Sequence, residues 1–96
     1  MQINFNKIDG AMNVTLDGRL DSLTAPEFEN FIDQNYDGKD MLVLDCAKLS
    51  YLSSAGLRVL LLAQKKSNGN MKLTGVCEMI MEVIQMTGFG EILVIE

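Results

Sequence analysis

Ile3 and Phe5 alternate with Asn4 and Asn6, and after Asp9-Gly10 the alternation resumes, with Met12, Val14 and Leu16 set against Asn13, Thr15 and Asp17. A period of two belongs to a strand with one polar face, and Asp-Gly tolerates the positive φ of a tight turn, so the pattern predicts a β-hairpin. The period then changes. Thr24 stands three residues before Glu27 with Pro26 in the first turn, a T-x-x-E capping box, and Phe28, Phe31 and Ile32 keep helical spacing, predicting a helix from Ala25 to Asn35. Asp37-Gly38 breaks the chain before Met41, Leu42, Val43 and Leu44, a continuous apolar run expected of a strand buried on both faces of a parallel sheet.

After Asp45 and Cys46 a short loop is expected to reach Tyr51, Leu52, Ser53 and Ser54, where a second helix starts. Its stripe of Leu57, Leu60, Leu61 and Ala63 opposes Arg58, Gln64 and Lys65, and Lys65 and Lys66 complement the dipole in its last turn. Asn68-Gly69 ends that helix before a strand at Met71 to Thr74, and a third helix is predicted from Glu78 to Thr87 with Ile80, Val83 and Ile84 inward and Gly88 as its stop. Ile92 to Ile95 are expected to close the chain as a short strand. The order is ββαβαβαβ. Right-handed β-α-β crossovers then give a mixed, mostly parallel sheet, with the hairpin adding an antiparallel strand. Polar alternate positions in the outer strands predict helices mainly on one face and a partly wet opposite face.

Ninety-six residues accommodate one domain, residues 1–96, and an apolar content of 48% is enough for its core. Thirteen acids against eight Lys and Arg give a formal charge of -5, a balance that argues against nucleic acid or an anionic membrane as partner. No histidine is present, which removes the commonest general base and metal ligand, and no glycine-rich phosphate loop appears, since Gly88 and Gly90 flank Phe89 without a lysine. No catalytic residue, metal or cofactor is therefore expected. Cys46 and Cys77 form neither a CxxC pair nor a zinc knuckle and are expected as reduced core thiols. The N-terminus reads as polar alternation rather than a leader or apolar span, which points to a cytoplasmic protein.

Function in open α/β sheets concentrates beyond the carboxyl ends of parallel strands, which here hold Gly18-Arg19-Leu20-Asp21 and Leu52-Ser53-Ser54-Ala55-Gly56-Leu57. A hydroxyl at a helix N-terminus satisfies orphan amides, so Ser53 and Ser54 can be simple caps. The same geometry accepts a phosphate and makes either serine a modification site that leaves the fold intact. Other readings compete. Asp17, Asp21 and Asp45 could gather as hard ligands for a divalent cation, or stand as solvated carboxylates, with Asp21 capping the turn to Thr24. Asp45 at a strand end is similar to a response-regulator phosphoacceptor, but the acidic pair expected after the first strand is missing. Met79, Met81 and Met86 could form an adaptable contact surface on the third helix or pack in the core.

The two loop motifs resemble those of the STAS domain, in the form found in bacterial anti-sigma factor antagonists. Gly18, Leu20, Asp21 and Thr24 match a G-x-L-D-x-x-T segment, and Tyr51 to Leu57 match a loop in which an aromatic and an apolar residue precede a D/S-S-x-G-L run. The resemblance covers nearly the whole chain and implies a non-enzymatic partner switch. In it an anti-sigma factor serine kinase phosphorylates the serine matching Ser54, the unphosphorylated protein binds that kinase and frees a sigma factor, and a protein phosphatase resets it. Ser53 departs from the pattern, because several family members carry aspartate there, which leaves Ser53 as the alternative phosphoacceptor. Gly18, Asp21, Ser53, Ser54, Ala55, Gly56, Leu57 and Arg58 are the expected partner-binding positions, with Arg58 one helical turn beyond Ser54. The alternative is a constitutive STAS scaffold subunit of a lipid or anion transporter, in which the serines only cap the helix.

Overall fold

A computed structural model describes residues 1–96. The first hairpin pairs β1 (Gln2–Ile8) with β2 (Ala11–Leu20) around Asp9 and Gly10, whose φ angles of 50° and 77° are those of a two-residue turn matched to strand twist. Next come α1 (Ala25–Asn35), β3 (Met41–Leu52), α2 (Ser54–Lys66), β4 (Met71–Thr74), α3 (Glu78–Met86) and a short 3-10 turn at Phe89–Glu91. The strands lie in the order β1-β2-β3-β4, β1 antiparallel to β2 and the rest parallel. Chain order and sheet order coincide.

Register decides which face each residue serves. Met12 pairs with Leu42 and Leu42 with Met71, while Val14 pairs with Leu44 and Leu44 with Leu73, so these buried residues form two rows on one face. Phe28 and Ile32 of α1, Leu57, Leu60 and Ala63 of α2, and Ile80 and Ile84 of α3 join them in a single core. The opposite face carries the intervening rows, such as Asn13, Val43 and Lys72, all only half-buried. The mixed sheet with helices on one face is as the sequence predicts. β3 itself differs: Met41 and Val43 are half-buried, so it is fully covered on one face rather than both.

Four other local expectations are corrected. β3 does not stop at Leu44 but runs to Leu52, because it carries one residue more than β2 at each of two register shifts, Thr15/Asp17 and Gly18/Arg19. Each such bulge flips the inward phase, so the buried positions run Leu42, Leu44, Cys46, then Leu49, then Leu52. Thr24 does not form the capping box. Its Oγ1 instead accepts from the Asp21 amide at 2.9 Å and lies 2.7 Å from the Arg19 carbonyl as donor. The C-terminal strand is reduced to a bridge between Leu73 and Ile95, held by Leu73 N donating to Val94 O and Glu96 N donating to Leu73 O. Cys46 is buried as expected, whereas Cys77 is exposed at the position that opens α3.

Candidate functional site

The junction between β3 and α2 is tied down by backbone. Ser53 N donates to Leu20 O at 3.0 Å, extending the β2–β3 pairing one step past the strand ends. Ser53 then turns the chain into the helix with φ -95° and ψ 173°, and its Oγ accepts from Gly56 N at 3.2 Å. That is an N-cap, and it uses the Ser53 hydroxyl. Ser54 is the first residue of α2; it is exposed, and its hydroxyl has no partner within the protein. The two adjacent serines are thus chemically distinct: one hydroxyl is spent on the backbone and the other faces solvent.

Gly56 explains how close the helix head sits to the sheet. A Cβ there would lie 2.6 Å from Leu20 O and 2.7 Å from Leu20 Cγ, so only glycine lets α2 settle on β2. Leu57 is buried beneath it and Ala55 is half-buried. Of the expected partner-facing positions, Gly56 and Leu57 therefore have no surface to offer and act by shaping the loop. Arg58 is exposed and carries no ion pair.

Beside this loop, β2 leads into an Asx turn. Asp21 Oδ1 accepts from Leu23 N at 3.0 Å and Thr24 N at 3.1 Å, closing the turn that leads into α1, while no side chain caps the helix itself. The Thr24 amide above all, with the Leu23 amide, the Thr24 hydroxyl and Arg19 adding to it, holds the Asp21 carboxyl below its ordinary value of 3.8 against an opposing desolvation. Gly18 has φ 118°, a conformation that side chains rarely adopt, and its carbonyl accepts from Ser50 Oγ at 3.0 Å. It sits within β2 at a register shift rather than in a free turn.

Two residues that the motifs contain but that are not among the expected partner-binding positions complete the site. Arg19 pairs in register with Tyr51; its guanidinium lies 4.1 Å from the Tyr51 ring centroid, and its Nε is 3.5 Å from Asp21 Oδ2. Their adjacency depends on the bulged register, which residue spacing does not reveal. Asp17, Asp21 and Asp45 are not brought together, and no group of three potential ligands is placed to hold a metal. Asp45 instead accepts from Ala47 N at 3.0 Å. Met79 and Met86 are exposed on α3, and Met81 lines an open groove of about 780 Å³ with Gln85, Leu93 and Ile95, away from the serine loop.

The profile of the STAS domain matches residues 2–96. A protein of Bordetella bronchiseptica that bears the provisional name anti-sigma factor antagonist BtrV is 36% identical over 93 residues, which cover 93% of this chain and 80% of that one. The fold is that of an anti-sigma factor antagonist from Mycobacterium paratuberculosis, with a TM-score of 0.86 at 23% identity over 98% of this chain and 83% of the other. It is also that of SpoIIAA, the Bacillus cell fate determinant. In its unphosphorylated form the TM-score is 0.72 at 16% identity over 99% and 88% of the chains, and in its phosphorylated form 0.71 at 16% over 99% and 91%.

Proposed function

The chain belongs to the STAS domain family, and from that membership we propose that it is an anti-sigma factor antagonist switched by phosphorylation at Ser54. Unphosphorylated, it binds an anti-sigma factor serine kinase and so frees a sigma factor. The kinase transfers the γ-phosphoryl group of ATP to Ser54 Oγ, ADP leaves, and the hydroxyl proton passes to a base of the kinase. A protein phosphatase hydrolyses the ester and resets the switch.

The observation that carries this reading is the difference between the two serines. Ser53 Oγ caps α2, while the Ser54 hydroxyl is exposed and unpartnered one residue later. The name of the relative from Bordetella bronchiseptica supports the antagonist role. The SpoIIAA structures support a switch without refolding, because this chain matches both forms of that protein almost equally.

The physics of the switch is a difference between two environments. On the free protein a phosphoserine adds about -1.5 to -2 charges and three acceptor oxygens in full contact with water. In a docked interface the same group sheds that water against a surface shaped for a hydroxyl. Unpaired buried charges at interfaces cost about 2–5 kcal/mol, enough to dissociate the complex. Incubation with the cognate kinase and ATP, followed by mass spectrometry, tests the assignment. Phosphate on Ser54 is expected; phosphate on Ser53 moves the site by one residue; phosphate on neither overturns the switch and leaves a constitutive scaffold.

A further inference from the structure

The guanidinium of Arg19 is weakly held. It carries five N–H donors, and the only side chain facing them is Asp21, whose Oδ2 stands 3.5 Å from Nε, longer than a charge-assisted hydrogen bond. Its flat face rests on Tyr51, and the side chain remains 60% exposed. Neither neighbour needs it to keep its place. Asp21 Oδ1 keeps the Leu23 and Thr24 amides whether or not Arg19 is near, and Tyr51 presents only its ring. Exposed cation–π contacts and surface ion pairs are both weak, so Arg19 can leave this seat at little cost.

Where it can go is set by the backbone. Leu20, the residue after Arg19, receives the Ser53 amide at 3.0 Å, and the ring under Arg19 belongs to Tyr51, three residues before Ser54. A phosphoryl group on Ser54 offers three oxygens to which the planar guanidinium fork is matched. We propose that Arg19 is the internal receptor of that phosphoryl group, moving from the face of Tyr51 to the phosphate when Ser54 is modified; the proposal rests on Ser54 being the phosphoacceptor.

Arg58 competes for the same role, since it follows Ser54 by one turn on α2 and helical side chains lean toward the N-terminus. Arg19 differs in that Asp21 Oδ2 already stands 3.5 Å from its Nε while the rest of its fork is free to pair. Phosphorylation then alters the surface twice over. It adds charge at Ser54, and it uncovers a tyrosine ring that a partner of the unmodified protein meets with the guanidinium stacked on it.

The test installs phosphoserine at position 54 during synthesis, so that no kinase is involved and a failure here is separate from a failure of the kinase assignment. Phosphorus-31 NMR then follows the second ionisation of the phosphate with pH. A paired cation favours the dianion, so Arg19→Gln is expected to raise this pKa by about half a unit or more, with Arg19→Lys between the two. The Tyr51 ring signals should move on phosphorylation in the parent and stay in Arg19→Gln. With its side chain 60% exposed, Arg19 can be replaced without loss of the fold, and unchanged far-ultraviolet circular dichroism establishes this for each variant. An unchanged phosphate pKa in Arg19→Gln overturns the proposal, whatever Arg58→Gln does.

Discussion

The carbonyl oxygen of Leu20 lies 2.6 Å from the point where a side chain on Gly56 would begin. The head of α2 therefore rests on the backbone of β2, and that contact fixes where both serines stand. Gly56→Ala must push the helix off the strand, and it also crowds Leu52 Cδ1, which is 3.0 Å from the same point. Overpacking of this kind costs about 1–3 kcal/mol. Urea denaturation should show the loss as a lower midpoint with an unchanged slope.

Ser53 and Ser54 should separate cleanly in stability measurements. Ser53→Ala removes the hydroxyl that accepts from Gly56 N, and loss of an N-cap costs about 0.5–2 kcal/mol. Ser54→Ala deletes an exposed, unpartnered hydroxyl and should stay within about 0.5 kcal/mol of the parent. Ser53→Asp should restore the cap. Equal losses in the two alanine variants would contradict the cap assignment.

The Asp21 turn predicts a direction with pH. Its carboxyl titrates below 3.8 when folded, so the ionised form adds stability above the ordinary carboxylate range, and that contribution fades as pH falls through the folded value. Asp21→Asn keeps an oxygen for the Leu23 and Thr24 amides but not the charge. The gap in urea midpoint between parent and variant should be open at pH 6 and close toward pH 3. A gap constant over that range would show the charge to be irrelevant to the turn.

The two thiols should react very differently. Burial pushes the Cys46 thiol up to about 12, while Cys77 is exposed. A disulfide reagent at pH 8 should modify Cys77 promptly and Cys46 only after denaturation. Cys77→Ser should abolish the fast phase and leave the slow one.

Arg58 is exposed on the first turns of α2, free of any ion pair, and is expected to meet an acidic group on the kinase. Arg58→Glu should weaken kinase binding at least tenfold, about 1.4 kcal/mol, with the melting temperature barely moved. Unchanged affinity by calorimetry would remove Arg58 from the interface.

What was legible in the sequence was what depends on local pattern. The hairpin turn at Asp9-Gly10, the bounds of α1, the start of α2 at the serines and the single helical layer all follow from periodicity and turn chemistry. What escaped depends on pairing between strands. Cys46, Leu49 and Leu52 are spaced by three, a pattern that belongs to neither a strand nor a helix until the two bulges in β3 are known. The same bulges bring Arg19 beside Tyr51, so the contact was hidden for the same reason. Thr24 and Glu27 spell a capping box, yet the Thr24 amide is taken by the Asp21 carboxylate through the Asx turn, and the Thr24 hydroxyl by the Asp21 amide and the Arg19 carbonyl. The exposure of Cys77 turns on how α3 enters, which composition does not report.

Each strand of β1-β2-β3-β4 pairs with its neighbour in the chain, so no strand has to be threaded between two others already joined. A ribosome releasing this protein from its N-terminus can therefore lay the sheet down in order, one strand at a time. Leu20, Leu52, Ser53 and Gly56, which together seat the serine loop, all precede β4 and α3 in the chain and so leave the ribosome ahead of them. The serine-loop end of the domain can assemble first, leaving the α3 end, with its single C-terminal bridge, to be completed last.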